Sequence, residues 1–179
     1  MRWSEIGRYW GTTEEERRRA YPCDDVRAET NEDYYRGVTV FAAPSTLFLW
    51  LCQLRVAPYS YDLIDNFGRR SPRKLTHGAD LLELGQPFMK IFDLVAFERN
   101  VHVTLRLRRP GVFPAMAVSY MIDAKNESEC RLLVKLTTQV GSGTLAKPVR
   151  LFGPWLDWIM MRRQLLNLKH LAERRHGHV

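Results

Sequence analysis

The sequence predicts an α+β domain in which a curved antiparallel sheet of six to seven strands wraps around a long C-terminal helix. Three observations predict it. From Phe88 to Val140, extended segments alternate with turn chemistry at hairpin spacing. From Pro154 to Arg175, Trp158, Met161, Leu165, Leu168 and Ala172 form one apolar stripe at helical spacing. Ahead of both, the β-branched stretch Gly37 to Ala42 runs into an apolar helix opened by Pro44. A helix of about 22 residues is roughly 33 Å long and amphipathic, so it needs a concave apolar surface. A twisted antiparallel sheet supplies one, and the wrapping leaves a gap at one end, a natural place for an apolar pocket.

Each element has its own local cause. A threonine with Glu three positions on can form a capping box, and Glu14/Arg18 and Glu15/Arg19 pair at i,i+4, so Thr12–Arg19 reads as a short helix with a solvated face. Tyr21-Pro22 ends it. In the helix from Pro44 to Leu54, Leu47, Trp50, Leu51 and Leu54 form the apolar face, widened by Phe48 and Leu49. After Tyr59–Gly68 and a basic loop, Arg69 to Lys74, four strands follow: Met89–Phe97, Val101–Arg108, Ala115–Asp123 and Arg131–Gln139. Met116, Val118, Tyr120 and Ile122 oppose Ala117, Ser119 and Met121, so both faces of that strand are partly apolar and both need cover. Gly153-Pro154 opens the last helix and Arg174-Arg175-His176-Gly177 closes it.

A chain of 179 residues makes one domain, 1–179, with 1–35 as a lead-in containing the short helix. With 45% hydrophobic and 26% charged residues it is not a disordered chain. The net charge of +7 implies attraction to anions, whether nucleic acid, acidic lipid or a carboxylate or phosphate ligand. Cys23, Cys52 and Cys130 are scattered and odd in number, which excludes a disulfide framework and a zinc site. No cofactor or metal is expected, and the terminal His176 and His178 read as a tail. Neither a signal peptide nor a span of about 20 apolar residues is present, so the expected location is cytoplasmic.

The succession WGTTEEE (Trp10–Glu16), VTVFAAPSTLFLWLCQL (Val38–Leu54), YSYDLIDNFG (Tyr59–Gly68), LELGQPFM (Leu82–Met89) and IMMRRQLLNLKHLAER (Ile159–Arg174) resembles the SRPBCC or START-like superfamily, in its polyketide cyclase/dehydrase and lipid-transport-like branch. The resemblance covers nearly the whole chain in order, and its most specific parts are APxxxxxWLxQ and YSYDxxxN. It differs in Arg55-Val56-Ala57-Pro58, where many relatives carry glycines, and in Gly85-Gln86, where many carry GD. The resemblance implies a helix-grip fold, a cavity between the sheet and the last helix, and a small hydrophobic or amphipathic ligand, lipid- or polyketide-like.

Candidate site residues follow. Trp50, Tyr59, Tyr61, Asn66, Met89, Phe92, Met116, Tyr120, Trp158 and Met161 are the expected ligand contacts: the aromatic and methionine side chains offer adaptable apolar surface, and Tyr61, Asp62 or Asn66 offers orientation. In a cyclase/dehydrase-type enzyme, the alternative reading, Asp62 or Tyr61 moves a proton once burial has brought its pKa toward neutrality. Helix capping by Asp62 and closure by Asn66-Phe67-Gly68 predict the same residue types at the same offsets. His102, Arg106 and Arg108 share one strand face; pointing inward, with Tyr120 across from them, they can orient a carboxylate or carbonyl, but alternation with Val103, Leu105 and Leu107 favours the outward orientation. Arg69, Arg70, Arg73 and Lys74 allow transient contact with an anionic membrane, a third and weaker reading. No nucleic-acid partner is expected, because interleaved exposed aromatics and a groove motif are missing.

Overall fold

The structure, a computed structural model, describes residues 7–26, 31–60, 70–108, 115–139 and 146–174. Strands β1 (Tyr9–Trp10), β2 (Asn31–Val40), β3 (Pro87–Phe88), β4 (Phe92–Glu98), β5 (His102–Leu107), β6 (Met116–Asn126) and β7 (Glu129–Gln139) form one sheet in the order β1-β2-β7-β6-β5-β4-β3. All pairings are antiparallel except β1 with β2. Helices α1 (Glu14–Arg18), α2 (Pro44–Cys52) and α3 (Ala146–Glu173), with short 3-10 helices at Pro22–Val26 and Gln53–Arg55, complete the described elements. No described helix is long and apolar enough to cross a membrane.

The inner face of the sheet carries the main core. Alternate residues Val103, Leu105 and Leu107 of β5, Val118, Tyr120 and Ile122 of β6, and Cys130, Leu132 and Val134 of β7 pack there against Leu47, Trp50 and Leu51 of α2 and Leu165 and Leu168 of α3. The outer face is covered by the segment after α1: Tyr21 and Cys23 bury Ala117 and Leu133. This answers the double-sided apolar pattern of β6. On the same face Lys135 is buried between Asp24 and Asp33, beneath the rings of Tyr21 and Tyr35. Burial alone would lower its pKa; hydrogen bonds to Asp24 and Tyr35 and the charge of Asp33 raise it instead. The three cysteines are free and buried, and burial pushes the Cys52 thiol up to about 12.

Several boundaries move for identifiable reasons. Strand β2 starts at Asn31, six residues before the expected strand, because its polar half is neutralised in place: Glu32 meets Arg8 at 3.2 Å and Asp33 meets Lys135 at 3.2 Å. Helix α3 starts at Ala146, with Pro148 in its first turn, and runs through Gly153-Pro154 although an interior proline removes one hydrogen bond of the ladder and crowds the carbonyl four residues back, at a cost of about 3 kcal/mol. Met89 and Lys90 take positive φ (44° and 66°) and form a turn, so β4 begins at Phe92. The capping box of α1 is present, as is the Glu14–Arg18 pair, but Arg19 pairs with Asp123 rather than Glu15. Glu16 is not on a solvated face: it is buried against Arg131 at 2.8 Å.

Parallel pairing of β1 on β2 brings two glycine backbones together. A Cβ on Gly11 would lie 2.1 Å from the Gly37 carbonyl oxygen, and its φ of +67° disfavours any side chain. Arg131 closes the same corner by donating to the Gly11 carbonyl at 2.7 Å. Gly11→Ala is therefore expected to destabilise the fold by about 2–4 kcal/mol, from strain plus overpacking. Urea denaturation of the variant checks this.

Candidate functional site

Helix α3 seats unevenly on the sheet. Leu165, Leu168, Leu171 and Ala172 in its C-terminal half are buried. In its N-terminal half Trp155, Trp158 and Met161 are only half-buried. The strands beneath are mixed, with Tyr34 and Thr138 buried and Leu136 and Met116 half-buried. Tyr34 pairs with Leu136 and Thr138 with Met116, so these lie beyond Arg36 toward the start of the helix. The apolar stripe of the helix is thus fully buried along its C-terminal half and only partly covered around Trp155–Met161.

The half-buried end is spanned by polar contacts. Arg36 of β2, 1% exposed, donates to Asp157 of α3 at 2.7 Å, to the carbonyls of Gly7 and Arg8 at 2.7 and 2.6 Å, and to its neighbour Tyr35 at 2.9 Å. Its Nε has no partner. Burial pushes the Asp157 carboxyl up to about 6, although Arg36 pulls it the other way. Burial, then the charge of Asp157, raises the phenol of Tyr120. Two turns further along the helix, Tyr120 donates to Gln164 Oε1 at 2.7 Å and Gln164 donates to the Pro58 carbonyl at 2.6 Å. Asn167 then holds the next carbonyl, that of Tyr59, at 2.8 Å. Residues three apart on α3 thus grip two consecutive peptide units of the segment leading into YSYD.

Tyr120, Met161 and Met89 converge on Gln164: Met161 Sδ lies 4.0 Å from the Tyr120 hydroxyl and Met89 Sδ 3.4 Å from Gln164 Nε2. The space directly beside Tyr120 is filled by these groups. Trp50 and Tyr59 pack edge to face at 6.1 Å within the core, and Phe92 is buried with them. Trp158 stands apart, against Trp155 and beneath Arg162, which also covers Trp10. Met116 lies on the inner face of β6, at its start. Tyr61, Asp62, Asn66 and Arg69 lie outside the described residues. His102 and Arg106 alternate with the inward Val103 and Leu105, so they lie on the outer face; exposed Arg108 binds Asp93 at 2.9 Å, and Tyr120 faces the opposite side. The outward orientation that the alternation favours is therefore the observed one.

Arg36, Asp157 and Gln164 were not among the sequence candidates. A signal for two of them exists: Asp157 and Gln164 occupy positions i and i+7 of the stripe that continues through Met161 and Leu168, where apolar residues belong. Polar residues on a core stripe need partners, and those partners come from distant strands.

No protein-family model and no curated protein sequence matches the chain. Solved structures match its fold. The di-domain aromatase/cyclase StfQ of the steffimycin biosynthetic pathway aligns over 87% of this chain with a TM-score of 0.53 and 13% identity; the chain spans 55% of StfQ. The Zhui aromatase/cyclase from Streptomyces sp. R1128 aligns over 83% of this chain and 99% of its own, with a TM-score of 0.53 and 13% identity. Norcoclaurine synthase from Thalictrum flavum aligns over 88% and 95%, with a TM-score of 0.56 and 9% identity. Another structure of that synthase holds dopamine and hydroxybenzaldehyde.

The Asp157 carboxyl gives the site a pH signature. Its folded pKa of about 6 lies above the ordinary value of about 3.9, so the folded state holds this proton more tightly than the unfolded chain. Its contribution is fully present below about pH 4 and is lost as pH rises through 6, a change of about 2–3 kcal/mol. Asp157→Asn is expected to flatten stability against pH between 4 and 6, measured by urea midpoints across that range.

Proposed function

We propose that this chain, a protein of the START-like helix-grip fold, holds a small hydrophobic or amphipathic ligand, lipid- or polyketide-like, between its sheet and the N-terminal half of α3. The observation that carries this reading is the graded seating of the helix, with half-buried Trp158, Met161, Met116 and Leu136 on facing surfaces. Polarizable and aromatic side chains suit apolar ligands of variable shape. Asp157 supplies a polar contact at this end, and Tyr61, Asp62 and Asn66 supply others from the YSYD segment. The fold neighbours named as aromatase/cyclases lend support by analogy of fold alone.

Protein purified under native conditions is expected to carry, or to take up one for one, an apolar small molecule visible by native mass spectrometry. The fluorescent probe 1-anilinonaphthalene-8-sulfonate is expected to bind with displacement by that molecule, and Met161→Glu to weaken it at least about tenfold by placing a charge on the apolar wall. A protein that remains empty and does not bind the probe would overturn the proposal.

A second reading, a cyclase/dehydrase-type enzyme, is favoured by one further observation: burial brings the Asp157 carboxyl to about 6, near the range of an efficient general acid or base. In this reading Asp157 exchanges a proton with a carbonyl or enol of the bound molecule. Asp157→Asn is then expected to reduce turnover of a polyketide-like substrate by about 100-fold or more while probe binding persists. Full turnover in that variant, with loss in Asp62→Asn, would assign the proton transfer to the YSYD segment instead.

A further inference from the structure

On the other flank of α3, away from the graded seat, a cleft of about 370 Å³ opens between the C-terminal half of the helix and the chain on either side of the YSYD segment. Arg163, His170 and Arg174 line it from the helix, Arg73 and Ser71 from the loop, and Ser60 from the start of YSYD. No carboxylate stands among the described lining residues. Arg73, Arg174 and His170 have no ion-pair or hydrogen-bond partner among the described residues.

The walls are built rather than incidental. Tyr59, buried at the base, takes a left-handed backbone with φ of 56°, a conformation that a bulky residue adopts only when its surroundings impose it. Those surroundings are visible. Its carbonyl accepts from Asn167 at 2.8 Å, its hydroxyl donates to the Pro72 carbonyl at 2.8 Å, and its ring meets Trp50 edge on. One residue, through its backbone carbonyl and its side-chain hydroxyl, therefore ties the helix wall to the loop wall.

Guanidinium groups converging with serine hydroxyls recognise tetrahedral oxyanions, because two forks and short hydroxyl donors match oxygens spread around one centre. More than one cation without a described carboxylate suits a dianion better than a carboxylate, which neutralises only one of them. The volume falls within the range of sites for small molecules and exceeds what a bare ion needs. We propose that this cleft binds the terminal phosphate of a phosphorylated molecule, a phosphomonoester or diphosphate, independently of the apolar ligand beneath the start of α3.

The test uses the full chain and isothermal titration with pyrophosphate and inorganic phosphate, against sodium chloride at matched ionic strength. Single-site binding at about 1 mM or tighter is expected for pyrophosphate. The double variant Arg73→Gln/Arg174→Gln is expected to weaken it at least about tenfold, whereas Arg106→Gln, an exposed arginine on the outer sheet face, leaves it unchanged. Melting curves by circular dichroism establish that the variants fold. Vesicles of phosphatidylcholine with phosphatidic acid distinguish the source of the phosphate. Binding of vesicles alone, lost in the double variant, identifies a lipid headgroup; binding of pyrophosphate in solution identifies a free ligand. Binding that survives the double variant, or that falls equally with Arg106→Gln, overturns the proposal, as does no binding to either.

Discussion

A guanidinium almost without access to water, that of Arg36, joins the N-terminal segment, an outer strand of the sheet and the long helix. Removing such a charge from water is expensive, and the structure compensates with backbone carbonyls and one carboxylate rather than with water. The arrangement imposes a spacing. A side chain as long as arginine standing between strand and helix holds the two farther apart than leucines do, whereas Leu165 and Leu168 let the surfaces close completely. The difference in burial along the helix thus follows from which residues lie beneath each half. Breaking such a pair by removing one partner typically costs about 3–5 kcal/mol, because the other is left buried and charged.

The same residue links architecture to chemistry. Asp157 is half of the structural pair and also the described carboxyl whose proton is held most unusually, since burial opposes its ionisation more strongly than Arg36 favours it. A group balanced in this way responds to whatever enters the adjoining space: a ligand that excludes water raises its pKa further, and one that donates a hydrogen bond lowers it. Structural and functional demands therefore fall on one side chain. The neighbouring Tyr120–Gln164–Pro58 chain is different in kind, since its hydrogen bonds connect neutral groups and its role is to fix the position of the segment entering YSYD.

Most of the architecture could be read from local pattern, and the exceptions have physical causes. Hairpins between β4 and β7 were legible because turn residues and two-residue alternation depend only on neighbours in sequence; α2 was legible from the spacing of Leu47, Trp50 and Leu51. The first half of β2 was not, because Asn31 to Arg36 becomes a strand only when its charges find Arg8, Lys135 and Asp157, all remote in sequence. The start of α3 was hidden by Gly153-Pro154, where local propensity argued for a beginning and tertiary context extended the helix. For the site, Met116 and Tyr120 of β6 and Met161 of α3 meet at one face while Trp158 stands apart, and the polar groups among them were invisible. An aspartate on a helix looks the same in sequence whether it faces solvent or a buried arginine.

The two-residue strand Tyr9–Trp10 has a consequence larger than its length. It is the neighbour that β2 has on that side of the sheet, pairing at Tyr35 and Arg36, midway along a ten-residue strand. An unshielded margin of that length offers backbone donors and acceptors to any passing chain, and templated self-association begins at such margins. The short segment thus acts as a guard against polymerisation, held in place by Arg36 and by the close approach of Gly11 to Gly37.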